Sequence, residues 1–291
     1  MWQSISKDIA NTTKTDFQMS QTEELSGGDI NRAFRIRSDG KMYFVKVNDK
    51  QNFANFEAEA LNLDILNCRS DIVVPKVITL GTTVANSYLV LEYIEMHTSP
   101  LPSSDSDFFQ LGVALARMHS ENQQAEFGWP EDNYIGHTPQ PNNYQHNWAT
   151  FFSENRIRHQ LQLLDAKVKN IDVNGVTRMC KDVLGDHQPI PSLLHGDLWQ
   201  GNVAFTHHYP CLFDPACYYG DREVDLAMTE LFGRFEQSFY DGYQATSAID
   251  SGYEQRKLIY NFYHIINHAN MFGGIYVDQV HTFIKQIQKL T

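Results

Sequence analysis

Cysteine is scarce in this chain of 291 residues: Cys68, Cys180, Cys211 and Cys217 are too few and too scattered for a disulfide framework. No CxxC pair is present either, which removes the usual seed of a structural zinc site. Basic residues are also in short supply. Against 35 Asp and Glu stand 23 Lys and Arg, a formal charge of −12, so a nucleic-acid reader would have to work against its own field. No uninterrupted apolar run approaches the ~18 residues that would suggest a membrane span. The opening Met1 to Lys7 has neither the basic n-region nor the apolar h-region of a signal peptide. These absences together predict a cytoplasmic protein of a reducing compartment, with no membrane and no nucleic-acid partner.

What remains is ordinary globular material, 42% hydrophobic and 20% charged, in a chain longer than one typical core, so two lobes are expected. Trp2, Ile5 and Ile9 have the spacing of a short leading helix. Ser26-Gly27-Gly28-Asp29-Ile30-Asn31 is a turn, Ala33 to Arg37 alternates, and Met42 to Val47 is a near-continuous apolar strand. From Gln51 to Leu66 the period becomes helical, with Phe56, Leu63 and Leu66 on one face. Strand character returns over Pro75 to Leu80 and Tyr88 to Ile94. The stretch Thr98 to Ser104 is the linker candidate, and beyond it helical stripes dominate, such as Phe108, Leu111, Leu115 and Met118. The pattern predicts an α+β fold, with a small lobe over residues 1–94 and a larger helical lobe over 95–291. Nothing in it sets an oligomeric state.

The chemistry gathers downstream. Leu194-His195-Gly196-Asp197-Leu198-Trp199-Gln200-Gly201-Asn202 places an aspartate and an asparagine five apart, and Asp214 follows twelve residues later. Kinase-type phosphoryl transfer needs this layout: Asp197 to orient and deprotonate an attacking hydroxyl, Asn202 and Asp214 to hold Mg²⁺ against nucleotide phosphates. Alone, the motif could equally be a turn rich in Gly and Asp. Upstream, Lys46 interrupts an apolar strand, where a buried ammonium requires a carboxylate. Glu59 shares the stripe of Phe56, Leu63 and Leu66, whereas Glu57 faces a more polar side, so Glu59 is the expected partner and the pair is expected to fix the phosphates of ATP. Gly27 and Gly28, lacking a Cβ, would let backbone amides approach those phosphates, although a plain hairpin turn would use them too. Strand order places the backbone of Glu92, Tyr93 and Ile94 near an adenine ring.

Supporting roles fall to two further residues. His195 is expected to steady the loop through hydrogen bonds, and Asp225, inside the apolar stripe that begins at Val224, to accept loop amides. Asp221-Arg222-Glu223 reads either as a substrate contact or as a solvated ion-pair patch. His264 and His268 are one helical turn apart, but no HExxH is present and their neighbours are apolar, so packing is the expected role.

With those residues in view the chain resembles the fructosamine kinase, or ketosamine 3-kinase, family. The resemblance rests on Ser26 to Asn31, Phe56-Glu57-Ala58-Glu59-Ala60, Phe127-Gly128, Asn133 to Gly136, Trp148 with Phe151-Phe152, Leu194 to Asn202, and the long run Phe213 to Met228. It implies a bilobal protein-kinase-like fold with a mainly antiparallel small lobe, related to aminoglycoside and choline phosphotransferases, and a site in the cleft between the lobes. It further implies ATP- and Mg²⁺-dependent phosphorylation of the C3 hydroxyl of ketosamines, either small molecules or glycated proteins, as the first step of deglycation. By position Asp197 is then the base, Asn202 and Asp214 the metal ligands, Lys46 and Glu59 the ATP pair, and Trp199 a platform for the sugar. Gln200 stands where members often carry a small residue, and Asp29 where several eukaryotic relatives carry cysteine, so thiol control is not carried over. The alternatives are a kinase for an aminoglycoside- or choline-like compound and a non-catalytic nucleotide-binding module.

Overall fold

The computed structural model describes residues 1–25, 30–69, 72–96, 105–206 and 209–291, so the 98–104 linker candidate lies outside the described residues. The chain divides into two compact units, Met1–Leu101 with Ala204–Asp214, and Pro102–Val203 with Pro215–Thr291.

In the first unit, helix α1 (Trp2–Thr13) precedes strands β1 (Gln21–Leu25), β2 (Arg32–Ser38) and β3 (Lys41–Asp49), then helix α2 (Phe53–Arg69) and strands β4 (Val77–Thr82) and β5 (Asn86–Glu92). The sheet runs β1-β2-β3-β5-β4, every neighbouring pair antiparallel. Side chains alternate across a strand. Tyr43, Val45 and Val47 therefore share one face, where they join Ile5, Ile9, Phe34 and Val90 in a core. Lys46 takes the opposite face. Burial on both faces explains why β3 reads as an almost unbroken apolar run. The returning segment adds a hairpin of β9 (Val203–Phe205) and β10 (Pro210–Leu212), in which Cys211 bridges to Val73.

The second unit is mainly helical. It holds α3 (Asp105–Glu121), α4 (Trp148–Phe151), α5 (His159–Val168), α6 (Val173–Leu184), α7 (Glu223–Leu231), α8 (Gln237–Thr246), α9 (Tyr253–Phe272) and α10 (Ile275–Ile287). Helices α3 and α8 approach closely because each presents a glycine: a Cβ on Gly112 would lie 2.0 Å from the Phe239 carbonyl, and one on Gly242 would lie 2.2 Å from that of Phe109. Between α4 and α5 the chain makes a π-helical turn (Phe152–Arg158), which carries Arg156 into the core, its guanidinium 4.0 Å from the Tyr218 ring centre. Short strands interrupt the helices: β6 (Asn133–Ile135) pairs with β7 (Thr138–Gln140), and β8 (Ser192–Leu194) with β11 (Tyr218–Gly220). Periodicity missed these three-residue strands because they are too short to show any. The β8–β11 pair matters most, since the loop from His195 starts where β8 ends.

Candidate active site

The site residues fall into two groups, one in each unit. In the first unit, Lys46 is 6% exposed on the α2 face of β3 and donates to Glu59 Oε1 at 2.6 Å. It also donates a short hydrogen bond to Asp214 Oδ1. Burial by itself would lower the lysine's pKa, but the Asp214 and Glu59 carboxylates outweigh it and hold Lys46 above its ordinary value, firmly charged. Glu57 is exposed, as expected of the polar side of α2. Asp214 is exposed and sits at φ 57, a left-handed conformation that short polar side chains tolerate better than most. Strand β5 stops at Glu92, so Tyr93 and Ile94 lie just past the strand that the sequence pattern extends through them. The Glu92 amide already donates to the Lys76 carbonyl, and the Tyr93 hydroxyl accepts from Arg35 at 3.3 Å. Gly27 and Gly28 lie outside the described residues.

In the second unit the loop after β8 is clamped at several points. Asp225 is fully buried at the start of α7 and accepts the His195 and Gly196 amides, both at 2.8 Å. Burial pushes its pKa up, but hydrogen bonding and charge from His119, aided by His195 and the Gly196 amide, win and hold it below the ordinary aspartate value. His119 lies 3.1 Å from Asp225 through Nε2 and 2.9 Å from the Tyr243 hydroxyl through Nδ1. Sequence reasoning missed both supports. The available signal was a histidine at the end of the α3 apolar stripe, which points inward but does not reveal its partner.

Gly196 has φ 83, and a Cβ there would meet the Ala216 carbonyl at 2.1 Å, so only glycine fits. His195 is buried; its carbonyl accepts from Ala216 and its Nδ1 from the Asp197 amide at 3.3 Å. Asn202 is 5% exposed and donates from Nδ2 to the Asp197 carbonyl at 2.8 Å and to Asp197 Oδ2 at 3.3 Å. That orientation commits the amide nitrogen to Asp197 and reserves the oxygen, the donor atom a hard divalent cation prefers. The exposed carboxylate of Asp214 is of the same chemical type. Both residues therefore fit the chemistry of a Mg²⁺ ligand.

Trp199 packs edge-on to Phe232 at 6.3 Å and covers Gly201, where a Cβ would meet its ring at 2.2 Å. Phe232 in turn lies 4.5 Å from the His268 ring, which is 5.1 Å from Tyr276. Gln200 turns aside and donates to the Arg234 carbonyl at 3.3 Å.

The 221–223 run departs from the solvated patch considered above. Asp221 and Glu223 are buried, with Asp221 accepting from the Tyr260 hydroxyl at 2.5 Å and lying 2.8 Å from His187 Nε2. Glu223 receives a two-pronged bond from Arg256, both distances 2.7 Å. The α9 residues Arg256 and Tyr260 close over these carboxylates, and a linear pattern cannot foresee that. One ligand atom each of His187, Asp221 and Glu223 fall within 4.8 Å of one another, a spacing a metal could use, but Arg256 and Tyr260 already satisfy the two acids.

The sequence profile described as fructosamine kinase matches residues 1–290. A Vibrio parahaemolyticus protein named as a probable ketoamine kinase is 46% identical over 288 residues, covering 99% of both chains. The crystal structure of a Haemophilus somnus protein, by its name a candidate fructosamine-3-kinase, superposes with a TM-score of 0.92 at 33% identity and covers 99% of this chain and 97% of its own. A choline kinase from Streptococcus pneumoniae shares the fold, with a TM-score of 0.64 at 16% identity over 99% of each chain.

Proposed function

The chain belongs to the fructosamine kinase family, and from that membership we propose that it transfers the γ-phosphoryl group of ATP to the C3 hydroxyl of ketosamine adducts of lysine, a deglycation activity of the cytoplasm. The observation that carries the proposal is the Asp197–Asn202 loop, held by Asn202 from one side and by Asp225 through its amides from the other.

Asp197 orients the acceptor hydroxyl and takes its proton. In a loose transition state most of its contribution is alignment of the nucleophile. Lys46, positioned by Glu59, binds α- and β-phosphate oxygens, and its release from Asp214 on nucleotide binding frees that carboxylate. Asn202 and Asp214 would hold Mg²⁺, which supplies charge neutralisation along the phosphates. Residues 1–94 form the nucleotide lobe, with Gly27, Gly28 and the backbone of Glu92, Tyr93 and Ile94 on the ATP side, and 95–291 the acceptor lobe. The Trp199 ring offers an apolar face to the sugar. Asp221, already satisfied by Tyr260 and His187, stands behind the site as structural support and not as a substrate contact. Ribulosamine and erythrulosamine are the favoured adducts, ahead of fructosamine.

The test is incubation with ATP, Mg²⁺ and a panel of ribulosyl-lysine, fructosyl-lysine and amino alcohols, with mass spectrometry locating the new phosphate. Phosphate on the ketosamine C3 oxygen is the expected result, and preference for the amino alcohols rejects the reading. Asp197→Ala should lower turnover by about 10²–10⁴-fold, the usual contribution of a positioned base, while leaving nucleotide affinity near wild type. Wild-type turnover would remove Asp197 from its role.

A further inference from the structure

His264 projects from the middle of α9 and is 1% exposed. Neither of its ring nitrogens has a hydrogen-bond partner among the described residues. Its Nδ1 nevertheless lies 4.0 Å from Asp197 Oδ1. Fully buried polar atoms are normally satisfied, and a hydrocarbon side chain would fill the same volume without leaving two of them idle. The neighbouring His268 shows the contrast, because its Nδ1 is bonded to the His264 carbonyl at 2.9 Å.

We propose that His264 is a positioning residue for Asp197, donating its Nδ1–H to the carboxylate when the acceptor hydroxyl is engaged and so fixing the oxygen that receives the proton. The inference rests on the kinase reading of the site. The gap of 4.0 Å closes to hydrogen-bond length with a shift of about 1 Å in one side chain, and such contacts are commonly long in resting enzymes and tighten in the reactive complex. The charge of the donor matters as much as its place. Burial, reinforced by His268, pushes the His264 imidazole down to about 3, so it stays neutral at working pH. A neutral N–H aligns a carboxylate without the strong loss of basicity that a lysine or arginine would impose. Donation from Nδ1 leaves Nε2 as a bare acceptor, and a buried acceptor without a partner is tolerated more often than a buried N–H without one.

Three substitutions separate alignment from packing. His264→Asn keeps a donor at the δ position, His264→Gln moves it outward, and His264→Leu removes it. With MgATP and a ketosamine, Leu and Gln should lower kcat by about 10–100-fold, the usual loss when a supporting hydrogen bond is removed, at unchanged KM for ATP. Asn should retain kcat within about threefold, and Leu should melt no lower than wild type, because no resting hydrogen bond is lost. Wild-type kcat in the Leu variant, or equal losses in Asn and Leu, would overturn the proposal. A second measurement does not depend on the acceptor: nitrogen NMR of the imidazoles in the free enzyme should find His264 as the Nδ1–H tautomer, with a resonance that moves in Asp197→Asn. The Nε2–H tautomer would overturn the inference even if ketosamine turnover stands. Conversely, a wild-type enzyme inactive on every ketosamine would defeat the kinase reading and leave the tautomer to decide this one.

Discussion

Lys46 carries a positive charge into a position only 6% exposed, and the two carboxylates of Glu59 and Asp214 make that tolerable. Removing one member of a buried pair leaves the other uncompensated. Lys46→Met should therefore destabilise the protein by roughly 3–5 kcal/mol and lower kcat/KM for ATP by about a hundredfold or more, as expected for a lost phosphate contact. Chemical denaturation and steady-state kinetics measure the two effects separately. The double variant Lys46→Met with Glu59→Met should regain much of the stability and none of the activity, since a buried ion pair replaced by apolar groups is often neutral. Recovery of activity in the double variant would refute the phosphate role. The pairing itself was legible in the chain, because a lysine amid Tyr43, Phe44, Val45 and Val47 demands a carboxylate and helical spacing selects Glu59 over Glu57. The second contact, from Asp214, was not. It comes from a segment 168 residues away that only the folded chain returns to the first unit.

At the scale of elements, the loop after β8 is shaped mainly by α7. Asp225 gives both carboxylate oxygens to that loop, and His119 of α3 with Tyr243 of α8 locks the carboxylate from behind. Asp225→Ala would orphan the His195 and Gly196 amides together, at about 1–3 kcal/mol each, so a loss near 3 kcal/mol and a melting temperature lower by roughly 6–12 °C are expected. Calorimetry checks the first number, and a change below a degree would show that the loop holds itself. The same residue sets an acid limit. Because its folded pKa lies below the ordinary aspartate value of 3.8, its contribution is fully present above that pH and is lost as pH falls through the lower folded value. Stability measured down the acid limb should therefore fall less steeply in Asp225→Asn than in wild type. An inward role for Asp225 could be inferred from the apolar stripe of Val224, Ala227 and Met228, but His119 and Tyr243 could not, because α3 lies far upstream in the chain and the periodicity of α8 does not show how it folds back against α7.

For the whole molecule the governing quantity is a formal charge of −12. Self-repulsion of a strongly acidic chain weakens as salt shortens the Debye length to about 8 Å at 0.15 M. The melting temperature should rise by a few degrees between low salt and roughly 0.3 M sodium chloride, read by scanning fluorimetry, and a flat or falling trace would show that local pairs outweigh the net charge. Among the described residues no helix is long and apolar enough to cross a membrane.

Residue order alone determined the α+β class, the strands β2 to β5 and the helices beside them, the Asp197–Asn202–Asp214 layout and the family. These follow from local periodicity and from motifs whose members are near in sequence. The tertiary structure decided which side chains meet across long separations. It set Asp214 against Lys46, His119 and Tyr243 behind Asp225, Arg256 and Tyr260 over Glu223 and Asp221, and His264 beside Asp197. The physical reason is that a periodic pattern shows that a residue is buried, whereas its partner is chosen by how the helices and short strands pack.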